Sequence, residues 1–155
     1  MTMAIEELRE VARVIRRDII TCTTIAGSGH PSSSLSGVEI MAALYFGGIL
    51  RYNPNDPKWG GRDRLIMSKG HASPGMYSIL HERGFISEED LSTFRRLGGC
   101  CQGHVDMKWC PGVDFTQLPI VTGGQPSGME EGGSHLIREQ GGVLEIQWDD
   151  RSPAA

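Results

Sequence analysis

No apolar run in these 155 residues approaches the ~20 needed to cross a bilayer, so no membrane span is expected. Basic residues are scattered and the formal net charge is −4. The patch or stripe of Lys and Arg that marks a nucleic-acid binder is missing. The opening MTMAIEELRE is acidic and helix-like, without the charged-then-apolar order of an export signal. A soluble, cytoplasmic protein is the expectation. Only four cysteines occur, Cys22, Cys100, Cys101 and Cys110. Their spacing is no disulfide framework, and without an export signal their thiols are expected to stay reduced. No internal repeat is visible. Glycine, by contrast, is abundant: 21 residues, about twice the ~7% of average usage, many of them in the last third. The length suffices for one domain with a core.

Apolar periodicity predicts several helices. Ile5, Leu8, Ala12, Ile15 and Ile19 recur at three and four, giving an amphipathic helix over 5–22. Glu6 and Glu7 in its first turn and Arg16 and Arg17 toward its end match the helix dipole. Ala26-Gly27-Ser28-Gly29-His30-Pro31 breaks the pattern. Ser36-Gly37-Val38-Glu39 has the form of a capping box, with Ile40, Met41, Leu44 and Tyr45 on the apolar face behind it. The turn-rich Tyr52-Asn53-Pro54-Asn55-Asp56-Pro57 follows. Arg62-Asp63-Arg64 reads as a solvated charge cluster leading into a short strand, Leu65 to Ser68. A third helix starts near Pro74, at N1, and stops at Gly84. A fourth is capped by Ser87, carries Glu88, Glu89 and Asp90 in its first turn, and shows Leu91, Phe94 and Leu97 on its face. Arg95 and Arg96 fall in its last turn, before Gly98-Gly99. Beyond Phe115 the composition turns polar and glycine-rich, and the last forty or so residues are expected to be poorly ordered. Within them Leu144, Ile146 and Trp148 alternate with polar residues as a last strand would.

Three Gly-His pairs stand in loops: Gly29-His30, Gly70-His71 and Gly103-His104. Glycine lets a backbone approach a ligand closely. Histidine donates to phosphates or hydroxyls and moves protons near neutral pH. Spacing alone favours ordinary loop histidines, with convergence on one pocket as the other reading. Ser68-Lys69-Gly70-His71-Ala72-Ser73 joins a strand to a helix start, where free N–H groups and the helix dipole favour an anion. It lacks P-loop spacing, and a plain connection with Lys69 in solvent fits equally. Cys100, Cys101, His104 and Cys110 have tolerable zinc-ligand spacing, but no second well-spaced pair completes the set. Adjacent cysteines also serve as small buried hydrophobes. A nucleophilic Cys101 or Cys110 has no evident partner to lower its pKa.

Taken together, GSGHPSSSLSGVEIMAALYF, NPNDPKWGGRDRLIMSKGHASPGMYSIL, GFISEEDLSTFRRLGG and QGHVDMKWCPGVDFT resemble the N-terminal part of transketolase. More narrowly, they resemble the separate N-terminal subunit of split transketolases. The likeness runs in order from about residue 6 to 116. It implies an α/β protein, the helix-rich N-terminal part of a thiamine diphosphate-binding fold, with an incomplete parallel sheet. Residues 1–116 would form that part and 117–155 a divergent glycine-rich tail. It further implies thiamine diphosphate and Mg2+ as cofactors, and transfer of a two-carbon ketol unit between sugar phosphates. His30 would contact reacting hydroxyls, His104 substrate oxygens near the thiazolium, and His71 both the cofactor diphosphate and the reacting carbons. Ser68 and Gly70 would join His71 in binding the cofactor. The implied partner is a C-terminal, pyrimidine-binding subunit in a homo- or hetero-oligomer.

The departures carry their own expectations. Where the family has Thr-Gly-Ser-Leu-Gly-Gln-Gly, this chain reads Thr116-Gln117-Leu118-Pro119-Ile120-Val121. The family's metal-binding Gly-Asp-Gly does not occur, and Asp149 and Asp150 do not substitute for it. The diphosphate's concentrated charge is then unbalanced, so the chain is expected to recognise substrate without retaining cofactor and to be inactive alone. A truncated or frame-disrupted subunit is one expectation, tested by a glycine-rich continuation in another frame after codon 116. A non-catalytic module docking on a transketolase partner through exposed apolar helix faces is the alternative.

Overall fold

The computed structural model describes residues 3–67 and 69–116, together with the backbone of 143–146. Helix α1 (Ile5–Ala26) is longer than its periodicity predicts by one turn. The Ala4 N–H donates to the Glu7 carboxylate at 2.7 Å, closing its first turn. Gly27, at φ 65°, ends it in the left-handed conformation that glycine adopts at least cost. Ala12, Ile15, Ile19 and Cys22 face the core, whereas Ile5 stays exposed.

A short helix absent from the sequence reading, α2 (Pro31–Leu35), follows at once. It displaces the expected capping box. Helix α3 (Val38–Phe46) begins after Gly37. The Ser36 hydroxyl instead donates to the Ser33 carbonyl, and Glu39 pairs with Arg16 of α1. Local chemistry at Ser36 lost to the preceding helical turn that Pro31 opens. Met41, Leu44 and Tyr45 are buried as predicted, while Ile40 is partly exposed.

The charge cluster at 62–64 is only partly solvated, with Arg64 exposed. Arg62 pairs with Asp114, their side chains only 14% and 5% exposed, and Asp63 pairs with Arg51. Asp114 also accepts the Leu65 N–H at 3.1 Å, anchoring the loop that ends near Phe115 to the start of β1 (Arg64–Met67). β1 pairs in parallel with β2 (Val143–Ile146), Arg64 opposite Val143 and Met67 opposite Ile146. Among the described residues these two strands are the whole sheet. The chain is thus α/β and helix-rich, with an incomplete parallel sheet. The tail's expected disorder lies outside the described residues, apart from the backbone of β2.

A 3₁₀ turn, Gly70–Ala72, leads into α4 (Ser73–Glu82), which is buried from Ser73 through Leu80. A helix hydrophobic on every side belongs in the middle of a fold. Here α4 packs against α1, α2, α3 and α5 (Glu88–Ser92). Ser87 caps α5 as predicted: its hydroxyl accepts the Asp90 N–H at 3.1 Å, and Asp90 accepts the Ser87 N–H. The helix, however, stops at Ser92 instead of running to Gly98. Arg95 takes φ 60° and donates its N–H to the Cys101 carbonyl, turning the chain back. Phe94 is fully buried, stacked near Tyr77, and Leu97 is left in solvent. Burying Phe94 outweighed continuation of the amphipathic pattern.

Candidate active site

The three Gly-His loops meet. The His30 and His71 rings lie edge to face, centroids 4.5 Å apart, and the His71 and His104 rings are 6.4 Å apart. Each imidazole is placed by a different element. His30 is the N-cap residue of α2, His71 sits in the 3₁₀ turn before α4, and His104 lies in the loop after Arg95.

Helix α4 assembles them. Gly75 N–H donates to the Ser34 hydroxyl at 3.1 Å, drawing α2 and His30 onto its first turn. A Cβ on Gly75 would stand 3.3 Å from the Ser34 Cβ, so this approach uses the missing side chain. Ser73 donates to the Gly103 carbonyl at 2.7 Å, and Tyr77 donates to the His104 carbonyl at 3.1 Å. Both fix the third loop. On the other side of His30, Gly29 adopts φ 137°, where a Cβ would lie 2.8 Å from Thr23 Cγ2 and 3.3 Å from the Phe94 ring.

Three amides around the start of α4, where an anion cradle was one of two readings, are hydrogen-bonded inside the protein. Ala72 N–H donates to the Lys69 carbonyl, Ser73 N–H to Gly70, and Gly75 N–H to Ser34. Pro74 has none to offer. The three amides of the first turn are thus spent inside the protein. Lys69 reaches the Ser36 hydroxyl at 3.4 Å. Gly70 is buried, and Ser68 lies outside the described residues.

Burial first, then His71 and Arg95, holds the His30 imidazole below its ordinary pKa. His104 is lowered likewise, by burial and then by His71, Arg95 and His30. In both, the shift disfavours the charged imidazolium, and a neutral imidazole donates from one nitrogen and accepts at the other. Arg95 is the site residue that sequence reasoning missed. Assigned to a helix end, it acts electrostatically on two of the three histidines because αL geometry turns it back over Gly103. Only an early helix stop at Ser92 signals this, and the amphipathic pattern hides it.

The cysteine readings separate from this site. Cys100, Cys101 and Cys110 gather their sulfurs without His104, whose ring faces His71. Burial pushes the Cys100 thiol up to about 11. The Cys110 thiol and burial push Cys101 higher. Neither suits a nucleophile. The other group of metal-ligating side chains among the described residues, Asp18, His81 and Glu82, lies at the opposite end of α4. The described residues bring three imidazoles together at the start of α4. They offer no acidic set beside the histidines for a metal on a diphosphate.

The three histidines thus converge where the 3₁₀ turn after strand β1 opens the buried helix α4. The family model described as transketolase, thiamine diphosphate binding domain, matches residues 6–130. Transketolase of Treponema pallidum (strain Nichols) is 41% identical over 122 residues, which is 78% of this chain and 18% of that protein. The 6-deoxy-6-sulfo-D-fructose transketolase subunit SqwG of Clostridium sp. (strain MSTE9) is 39% identical over 110 residues, 71% of this chain and 40% of that subunit. The crystal structure of transketolase from Campylobacter jejuni superposes with a TM-score of 0.70 at 38% identity, covering 76% of this chain and 18% of that one. The chain belongs to the transketolase family and corresponds to its N-terminal region. It spans less than half the length of the relatives it matches, and under a fifth of the full-length transketolase from T. pallidum. Among the described residues, no helix is long and apolar enough to cross a membrane.

Proposed function

We propose that this chain supplies the substrate-facing histidines of a transketolase that transfers a two-carbon ketol unit between sugar phosphates. The observation that carries the reading is the convergence of His30, His71 and His104 from three separate loops. Neutral His30 and His104 hydrogen-bond the hydroxyl and carbonyl oxygens of the sugar and relay protons as bonds to carbon form and break. His71, between them, contacts both. Arg95 adds the positive charge that a phosphorylated substrate needs. Thiamine diphosphate, which His71, Gly70 and Ser68 would help to hold and whose Mg2+ would need residues beyond this set, would supply the electron sink when bound. A pyrimidine-binding partner subunit completes the site in a cytoplasmic oligomer, and the chain alone turns nothing over. The name of the SqwG relative, a transketolase subunit, supports a divided enzyme.

The test is reconstitution of the full chain with a pyrimidine-binding transketolase half, following ketol transfer. His71→Ala is expected to lower turnover by about 100-fold or more, and unchanged turnover would remove His71 from the reaction. Calorimetry on the chain alone, with thiamine diphosphate and Mg2+, is expected to show no heat. Micromolar binding there would overturn the need for a partner. A second reading, a docking module without catalysis, draws on the exposed Leu97, Met107, Trp109, Trp59 and Ile49. It predicts a stable complex with the same half and no transfer.

A further inference from the structure

Outside the histidine site, the densest group of reactive side chains is Cys100, Cys101 and Cys110. Their three sulfurs lie within 4.8 Å of one another, and all three are free thiols. Cys101 and Cys110 are buried, and Cys100 is half-buried. Chain neighbours do not ordinarily aim both side chains at one point. Here the backbone arranges it. Arg95 N–H binds the Cys101 carbonyl, and Cys110 is folded inward by its own N–H to the Asp106 carbonyl and by the Val113 N–H to its carbonyl.

The spacing is chemically specific. Cys100 Sγ and Cys101 Sγ are 3.8 Å apart. Metal–sulfur bonds of about 2.3 Å in a tetrahedron set sulfurs about 3.8 Å from each other. Mere packing of small hydrophobes does not require three sulfurs to share one centre. Cys110 makes a long contact to the Pro111 carbonyl, at 3.7 Å, and its thiol also interacts with those of Cys100 and Cys101. The half-exposed Cys100 side leaves a fourth vertex open to water or to the neighbouring Asp90 carboxylate, which interacts with the Cys100 thiol. His104, whose loop runs between Cys101 and Cys110, points away to His71.

We propose that Cys100, Cys101 and Cys110 bind one thiophilic d10 metal ion as thiolates, and that this ion staples the loop carrying His104. Soft thiolate sets select Zn2+ and Cu+. Three thiolates leave a net charge of −1 around Zn2+ and −2 around Cu+, so burial favours zinc. No electron moves on binding. Three S–H bonds release their protons to solvent and three metal–sulfur bonds form.

The test uses the full chain, reduced and metal-free, titrated with Zn2+ alone and with Cu+ alone against a competing chelator. One ion per chain is expected, with up to three protons released and three sulfurs at about 2.3 Å in the X-ray absorption spectrum of the zinc form. Co2+ in place of zinc should give sulfur-to-metal charge-transfer absorption. Cys22→Ser should bind as well as the parent. Cys110→Ser should lose more than the roughly 100-fold that removal of an outer-sphere partner costs. No uptake of either ion, fewer than three sulfurs, or unchanged affinity in Cys110→Ser would overturn the site. Should Cys110→Ser fail to fold, the sulfur count and proton release of the parent chain decide alone.

Discussion

His30 and His104 show how three weakly basic groups can share a small volume. Charging all of them would set like charges side by side, and burial, then the neighbouring charges, lower the pKa of these two. The sign follows directly. A base whose folded pKa is lowered contributes stability that is complete above its unfolded value and is lost as pH falls through the folded value. Acidification below the ordinary histidine range should therefore loosen the site before the rest of the protein. Proton NMR titration is expected to show both imidazoles titrating below the usual value. In His71→Ala both should move upward without reaching it, because burial is the larger cause. At Gly29 the backbone angle of 137° and the 2.8 Å approach of Thr23 leave no room for a side chain. Gly29→Ala is expected to cost about 1–3 kcal/mol, read as an earlier denaturant midpoint.

At the scale of elements, the interface of α1 and α4 carries an unresolved conflict. Asp18 and Glu82 face His81 together, and neither Asp18 Oδ2 nor His81 Nδ1 has a hydrogen bond. Burial, then Asp18, raises the Glu82 carboxyl above its usual range, with His81 and Arg17 opposing. A raised carboxylate pKa favours the folded state while protonated, and that contribution fades as pH climbs through the folded value. Glu82→Gln should therefore raise the melting temperature at pH 7 by about 2–4 °C, and the gain should vanish below pH 4. The same elements show what could be read in advance. α1, the Ser87 cap and the start of α4 were legible because periodicity, capping chemistry and proline placement agree there. α2 and the early end of α5 were not. In both, a tertiary demand overrode a locally sound pattern: the closeness of Ser34 to Gly75, and the burial of Phe94. The three Gly-His pairs were visible as motifs. Their meeting was not, because it depends on Ser73, Gly75 and Tyr77 gripping partners about 30 to 40 positions away.

At the scale of the molecule, the Arg62–Asp114 pair and the Leu65 N–H bond to Asp114 tie the loop that follows His104 to the start of β1. Burial outweighs Arg62 and leaves the Asp114 carboxyl above its usual pKa, so the pair is costly to build and costlier to break. Asp114→Ala would leave Arg62 buried without its partner and free the Leu65 N–H. About 3–5 kcal/mol of stability should be lost, measured by denaturant unfolding. Mutational tolerance follows from the geometry of α4. Between Gly70 and Tyr77, alternate residues from His71 onward each hold a neighbour: His71 the other imidazoles, Ser73 and Tyr77 the His104 loop, Gly75 the α2 helix. A change at any of these positions is felt by two others. This short stretch leaves little freedom for neutral drift. The solvent-facing positions around Leu97 and Lys108 can vary widely, so new specificities in relatives of this chain should arise at the rim of the histidine site and seldom beneath it.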